Sequence, residues 1–251
     1  MKVSVILPAA GLGTRMKLGR DKAEPAAGAP VRPAESSGTS RKQFMLLDGA
    51  PIVVHTLRKF AAARAVTEIV VALRADDLSW FSEVVAKERL PKPVRLVEGG
   101  DSRHHSVENA LATLEPDVDL VAVHDAVRPF VDLELIDKVI AEAAVSGAAI
   151  LGIVPVDTVK QVHLQKIRGT IARDRLVLAQ TPQVFRLDLL RRAFEKARAD
   201  HFTGTDESSL VERLEEVEVS VVAGNDRNIK ITRPTDMELA RLFLAEEAAR
   251  R

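Results

Sequence analysis

The sequence contains no cysteine among its 251 residues. This absence excludes disulfide bonds, thiolate metal sites and a cysteine nucleophile, and it fits a reducing compartment. The chain also lacks an excess of either charge, because 36 lysine and arginine residues balance 36 aspartate and glutamate residues. No field of the whole molecule would therefore draw it to nucleic acid or to an anionic membrane, and phosphate chemistry must rest on local clusters of charge.

Long apolar stretches are missing as well. No segment approaches the length that a transmembrane helix needs. Residues 1–8 form only a short apolar run, which Ser4 interrupts and glycine-rich sequence follows, and this is not the pattern of a targeting signal. We therefore expect a cytoplasmic protein without membrane or nucleic-acid partners.

Short runs rich in valine, isoleucine and leucine alternate with segments of helical periodicity. The runs predict strands at 3–7, 68–73, 94–97, 120–123, 148–154 and 217–222, and the periodic segments predict helices at 51–63, 77–89, 132–145 and 187–199. Such alternation predicts an α/β fold with a mostly parallel central sheet and helices on both faces. We expect one Rossmann-like domain over 1–251, with ligands at the carboxyl ends of the strands.

Two segments interrupt the alternation. Residues 17–40 are crowded with alanine, glycine, proline and serine and have no apolar period, which predicts a mobile insertion. Residues 156–174 alternate apolar and polar side chains around Arg168 and Gly169, which predicts a β-hairpin projecting from the sheet. A two-stranded arm is marginal alone, so we expect it to pack on a second subunit in a homodimer.

The first predicted strand leads directly into the sequence PAAGLGTRM at 8–16. Its small residues let the backbone approach a ligand, successive N–H groups can bind phosphate oxygens, and Arg15 adds a fixed positive charge. A dinucleotide-binding turn is the alternative, but the third glycine of that fingerprint is absent. Lys42 follows the insertion and could fold back onto the same phosphates, although a lysine considered alone is usually a solvated surface residue.

Further motifs follow in order along nearly the whole chain: RKQF at 41–44, GGDSRHHSV at 99–107, VHDAVRP at 123–129, QTPQ at 180–183, TDE at 205–207 and NIKITRP at 228–234. Together with the first loop they resemble the methylerythritol phosphate cytidylyltransferases. In that family the loop arginine and lysine are only a few residues apart, whereas here the predicted insertion separates Arg15 from Lys42.

The resemblance implies transfer of CMP from CTP to methylerythritol 4-phosphate with release of pyrophosphate, in isoprenoid precursor biosynthesis by the non-mevalonate pathway. It implies Mg²⁺ as cofactor, held mainly through the CTP phosphates with Asp125 nearby. The catalytic cations would be Arg15, Lys42 and Lys230. The nucleotide would contact Pro8, Ala9, Ala10, Gly11, Gly13, Gly100, Asp101, Ser106, Asp125 and Ala126. The acceptor would contact Arg128, Thr158, Arg173, Thr181 and Thr205, with Thr158 and Arg173 reaching the site of the neighbouring subunit on the arm.

Other functions would share part of this pattern. A ribitol 5-phosphate cytidylyltransferase would share the fold, the nucleotide and the reaction and would differ in the polyol. A Rossmann dehydrogenase would need an acidic residue at the end of the second strand, where the chain has Leu73-Arg74-Ala75. A non-catalytic binding module would be expected to lose one of the three catalytic cations. The spacing of His104, His105 and His124 gives no zinc pattern.

Overall fold

The computed structural model describes residues 1–11 and 41–249. The predicted insertion at 17–40 lies outside the described residues. The strands are β1 Val3–Pro8, β2 Leu46–Leu47, β3 Ala50–Pro51, β4 Glu68–Leu73, β5 Val94–Glu98, β6 Leu120–Val123, β7 Ala148–Ile153, β8 Val159–His163, β9 Lys166–Ile171, β10 Leu178–Arg186 and β11 Ser220–Ala223. The helices are α1 Ile52–Ala62, α2 Ala75–Glu88, α3 Arg103–Ala112, α4 Leu133–Ser146, α5 Leu187–Ala199, α6 Glu207–Glu212 and α7 Pro234–Ala249.

The central sheet has the strand order β11-β7-β10-β6-β1-β4-β5. Its neighbouring strands run parallel except at β10, which is antiparallel to both β6 and β7. The predicted mostly parallel α/β sheet is therefore confirmed. None of the helices in the described ranges combines the length and the apolar character that crossing a membrane requires.

Both faces of the sheet are covered because side chains alternate along each strand. In β1, Val5 and Leu7 point into a core that α1, α2 and α4 close, whereas Ile6 points into a second core that α3 and α5 close. All three side chains are fully buried. Burial on both faces explains why the runs predicted for central strands, such as 120–123 and 148–154, are almost entirely apolar.

Strand β10 was not predicted from the sequence. Its middle is polar, and Pro182 follows a cis peptide bond inside it. A proline in a central strand cannot donate to the hydrogen-bond ladder and normally marks an edge or an irregularity. Here the pairing with β7 shifts register between Ala179 and Gln183, and this irregularity accommodates Pro182.

Strands β8 and β9 form the predicted hairpin as a separate two-stranded sheet. The predicted centre at Arg168 and Gly169 is wrong, since Gly169 lies within β9 opposite Gln161. The turn instead uses Leu164 and Gln165, both with left-handed backbone at φ 48° and 61°. This two-residue geometry matches the twist of the flanking strands, but the pair lacks the asparagine or glycine that usually signals such a turn.

Candidate active site

A cavity opens beyond the carboxyl ends of β1 and β6, where ligands of open α/β sheets bind. Its lining consists of Pro8, Ala9, Ala10, Gly11, Lys42, Gln43, Arg103, Ser106, Asp125, Ala126, Val127 and Lys230. Most of the residues predicted to bind the nucleotide are therefore brought together in one place. Gly13 and Arg15, by contrast, lie outside the described residues.

A larger concavity of about 840 Å³ lies at the opposite end of the sheet, around Leu120 and Arg186. Two of its arginines have local partners, since Arg191 donates to Leu114 O and Arg192 pairs with Asp188. It holds none of the residues of the predicted site. We therefore take the smaller cavity as the candidate active site.

Gln43 joins two walls of this cavity. Its side-chain amide donates to Ala9 O at 2.6 Å and to Gly11 O at 3.0 Å, and the side chain is buried. The adjacent Phe44 packs edge-on against Trp80, with the ring centroids 5.0 Å apart. These contacts hold the short turn at Lys42–Phe44 against the first loop, so Lys42 faces the same cavity as Gly11.

The wall opposite this turn is built from the loop between β5 and α3. The Ser106 hydroxyl accepts from Gly100 N at 3.1 Å and donates to Ser102 O at 2.8 Å, which fixes the loop above the first turn of α3. A Cβ at Gly99 would lie 2.7 Å from Ala10 Cβ. Only glycine therefore allows this loop to approach the first loop so closely. Asp101 is exposed and lies outside the cavity lining in the described part of the chain.

A cluster of cations surrounds Asp125, which follows β6 directly. Its Oδ1 accepts from Arg103 Nε at 3.1 Å, and its Oδ2 lies 3.2 Å from Arg128 Nε and 2.9 Å from Lys230 Nζ. Its backbone N–H donates to Thr181 Oγ1 at 3.1 Å. Burial would raise the pKa of the Asp125 carboxyl, but the three cations hold this pKa well below its usual range. Asp125 is thus an anion that organises three positive groups beside the cavity.

His124 supports the same loop from within the core. Its Nε2 lies 3.0 Å from Arg128 O, and its ring centroid lies 4.6 Å from that of Phe60. Burial lowers the pKa of His124 to about 4, so the imidazole is neutral at pH 7. Within the described ranges, no group of three or more histidine, aspartate and glutamate side chains has an arrangement suited to a metal ion.

The comparisons with known proteins agree on one family. The chain matches the family model described as 2-C-methyl-D-erythritol 4-phosphate cytidylyltransferase over residues 3–246. A protein of that name from Solibacter usitatus is 62% identical over 255 residues, which cover 100% of this chain and 98% of the relative. This chain belongs to the 2-C-methyl-D-erythritol 4-phosphate cytidylyltransferase family.

More distant relatives of this cytidylyltransferase family support the same assignment. A protein of the family name from Acidobacterium capsulatum is 48% identical over 255 residues, which cover 100% of both chains. The crystal structure of 4-diphosphocytidyl-2C-methyl-D-erythritol synthase from Anaerococcus prevotii aligns with a TM-score of 0.80 at 29% identity, covering 97% of this chain and 98% of that one. The structure of the Francisella tularensis family member aligns with a TM-score of 0.75 at 30% identity, covering 96% and 99%.

The residues that the cytidylyltransferase resemblance assigned to the acceptor fall into two groups. Arg128 and Thr181 are mostly buried and contact the lining residue Asp125 directly, without belonging to the cavity lining of the described chain themselves. Thr205, Thr158 and Arg173 are exposed and lie outside the cavity lining of the described chain. Thr158 precedes the hairpin, and Arg173 follows it and donates to Val156 O.

Sequence reasoning did not assign roles to Gln43, Arg103 and Glu207. Each lies within a motif that carried the family resemblance, but a neighbouring residue received the role there. Glu207 is buried and accepts from both terminal nitrogens of Arg103, at 2.8 and 2.9 Å. In the sequence each of them lies beside other polar residues, so no local signal distinguishes it from its neighbours. Only the contacts in the folded chain identify it, since buried polar groups require partners.

Proposed function

We propose that this chain transfers CMP from CTP to 2-C-methyl-D-erythritol 4-phosphate, giving 4-diphosphocytidyl-2-C-methyl-D-erythritol and pyrophosphate, in non-mevalonate biosynthesis of isoprenoid precursors. The observation that carries the proposal is the group of Arg103, Arg128 and Lys230 around one buried carboxylate, Asp125, beside a small-residue loop. Such a site attracts a polyphosphate and can hold the charge that develops on phosphorus.

The reaction requires an acceptor phosphate oxygen to attack the α-phosphorus of CTP while pyrophosphate departs in line. The attacking oxygen is already anionic, so no strong general base is needed. The barrier arises from bringing two polyanions together and from the charge on the α-phosphate in the transition state. Lys42 and Lys230 both line the cavity and would carry out this charge stabilisation together with Arg15.

Selection of cytosine would depend on the walls that face each other across the cavity. The backbone of Pro8, Ala9, Ala10, Gly11 and Gly13 would lie against the nucleotide, with Ala126 on the β6 side. The backbone of Gly100, the Ser106 hydroxyl and Asp101 would bind the base edge. Cytosine offers an amino donor and a ring carbonyl acceptor, and backbone groups with a hydroxyl can satisfy both.

Magnesium would neutralise part of the triphosphate charge and orient its oxygens. Asp125 is the only carboxylate among the described residues that line the cavity, and its oxygens already contact three cations. This donor set suits an ion that the nucleotide phosphates hold, with Asp125 as at most one ligand. The protein residues therefore contribute positioning and positive charge rather than a closed metal cage.

We also propose that the chain acts as a single nucleotidyltransferase domain in a cytoplasmic homodimer. Arg128, Thr181 and Thr205 would bind the acceptor phosphate and hydroxyls in one subunit, and Thr158 and Arg173 would come from the arm of the other. One feature of the arm supports this arrangement. The arm exposes the apolar side chains Val162 and Ile167, which pair with each other across its strands. Exposed apolar groups on a marginal hairpin favour burial against a partner.

The test of the proposed function is pyrophosphate release by the purified protein with CTP and Mg²⁺, comparing methylerythritol 4-phosphate with ribitol 5-phosphate. Replacing CTP by ATP, GTP or UTP tests the base pocket in parallel. We expect release with CTP and methylerythritol phosphate alone. Release with the ribitol ester alone would keep the mechanism and replace the substrate, and no release with any pair would refute the proposal.

A further inference from the structure

Glu207 is a buried carboxylate that lies outside the cavity lining of the described chain, yet it is bound to a residue of that lining. It begins α6, where Asp206 caps the helix by accepting from Ser209 N at 3.1 Å. The two Glu207 oxygens accept from Arg103 Nη1 at 2.8 Å and from Nη2 at 2.9 Å. This end-on, bidentate pairing fixes the plane and the direction of the Arg103 guanidinium.

The fixed guanidinium directs its third nitrogen toward Asp125. Arg103 Nε donates to Asp125 Oδ1 at 3.1 Å, while Lys230 Nζ lies 2.9 Å from Oδ2 of the same carboxylate. A continuous chain of charged contacts therefore runs from Glu207 through Arg103 and Asp125 to Lys230. Glu207 makes no hydrogen bond or ion pair with Asp125 or Lys230 among the described residues, although the nearby Asp125 charge helps burial to raise the pKa of Glu207. Its contacts with the site therefore run through Arg103.

We infer that Glu207 is a positioning residue for nucleotidyl transfer, which holds Arg103 so that Asp125 orients Lys230 toward the phosphates. The inference rests on the proposed function. It assigns Arg103 a connecting role, because its N–H groups span two carboxylates in one plane. A lysine has a single nitrogen on a flexible stem and cannot reproduce that geometry.

The same contacts also link the two ends of the site. Arg103 is the first residue of α3, whose first turn carries Ser106 of the proposed base pocket. Asp125 and Lys230 lie at the phosphate end. A buried ion pair contributes little net stability compared with a well-packed apolar pair, because both charges lose their hydration. We expect the ion pair between Glu207 and Arg103 to serve instead to hold the proposed base pocket and the phosphate end of the site in a fixed relative position.

The experiment is a double-mutant cycle with Glu207→Gln, Arg103→Met and the combination, read as kcat and KM for CTP and for methylerythritol 4-phosphate. We expect Glu207→Gln to lower kcat by about tenfold or more, because small misplacements of reacting groups cost this much, while KM for CTP changes less than about threefold. We expect the combination to be no slower than Arg103→Met, since the contacts of Glu207 with the site run through Arg103.

The matched control is Glu108→Gln, which removes the charge from another glutamate–arginine pair involving α3. Glu108 pairs with Arg198 at 2.9 Å outside the cavity lining, and its loss should leave kcat unchanged. Circular dichroism and thermal unfolding check that each variant folds. Should Glu207→Gln fail to fold, Glu207→Asp decides instead, because it keeps the charge but withdraws the carboxylate by one methylene. We expect it to lower kcat by about threefold or more.

Two results would overturn the inference while leaving the proposed function intact. One is a folded Glu207 variant with wild-type kcat. The other is a combination whose loss of kcat equals the product of the two single losses, which would make Glu207 independent of Arg103. An inactive wild-type protein would instead remove the proposed function, and the inference would fall with it.

Discussion

Asp125→Asn removes the one negative charge that three cations share while keeping the side-chain volume. In the wild-type protein the Asp125 side chain is only 7% exposed and lies 2.9 Å from Lys230 Nζ. The variant leaves Arg103, Arg128 and Lys230 close together without their common anion. We therefore expect lower stability and lower turnover, but from different physical causes.

The loss of stability follows from the geometry of the cluster. Removing one partner of a buried ion pair typically costs about 3–5 kcal/mol. The lower limit applies here because Arg103 keeps Glu207, Arg128 keeps its bond to Asn228 O, and Lys230 remains 35% exposed. We expect a decrease of about 3 kcal/mol in the free energy of unfolding, which lowers the melting temperature by about 9 °C for a chain of this size.

The kinetic effect should separate binding from chemistry. Loss of the negative charge makes the cavity more positive, so KM for CTP should not rise. Lys230 loses the carboxylate that orients it, and we expect kcat to fall about 100-fold, which corresponds to about 2.7 kcal/mol of transition-state stabilisation. Pyrophosphate release at varied CTP concentration, together with urea unfolding of both proteins, measures the two effects independently.

The pH dependence provides a further check on the cause. The pKa of Asp125 is depressed in the folded protein, so its stabilising contribution is present above the unfolded pKa and is lost as the pH falls. The difference in unfolding free energy between wild type and Asp125→Asn should be constant from pH 7 to pH 5. It should shrink by about 0.7 kcal/mol at pH 3.5, because the unfolded carboxyl titrates near 3.9. A variant as stable as the wild type, or one with a raised KM and normal kcat, would refute this reasoning.

Three further predictions concern the same cavity and the arm. Because the pKa of His124 falls to about 4, this residue alone should remove about 2.5 kcal/mol of the unfolding free energy between pH 7.5 and pH 4.5. In urea unfolding, His124→Gln should therefore be less dependent on pH than the wild type by about this amount, and an unchanged slope would contradict the prediction. Lys230→Met should lower kcat about 100-fold or more without unfolding the protein. The control Lys138→Met, on an exposed face of α4, should leave kcat unchanged. Near-normal turnover of Lys230→Met would remove the proposed role of Lys230. If sites are shared between subunits, mixing inactive Arg173→Met and Lys230→Met proteins should restore about a quarter of wild-type activity, whereas no recovery would place each site within one chain.

Much of the fold could be predicted because its determinants are local. The run at 120–123 is entirely apolar and the run at 68–73 is apolar after Glu68, and they form β6 and β4 with the same bounds. Burial on both faces leaves a strand little other composition. The carboxyl end of β6 could also be located, and Asp125, which was expected there, lies in the cavity lining.

Strand β10 and the hairpin turn could not be predicted in this way. Pro182 and the polar residues before it do not have the apolar pattern that predicts a central strand. Strand β10 forms there because β6 and β7 supply hydrogen-bonding partners on both sides. The turn at Leu164 and Gln165 has side chains that do not favour its left-handed backbone. In both segments tertiary pairing overrides a weak or contrary local preference.

The features of the candidate site also separate into those that the sequence determines and those that depend on tertiary packing. The sequence by itself determined the order of the motifs, the family, and the presence of Lys42, Asp125 and Lys230, because side-chain chemistry is written in the residues themselves. Only the tertiary structure decided that Gln43 holds the Lys42 turn against the first loop by a hydrogen bond to Ala9 O. It likewise decided that Glu207 pairs with Arg103, although the two residues are 104 positions apart in the sequence. A pair of charges that far apart has no periodic signal, and its partners are selected by how helices and loops pack on the end of the sheet.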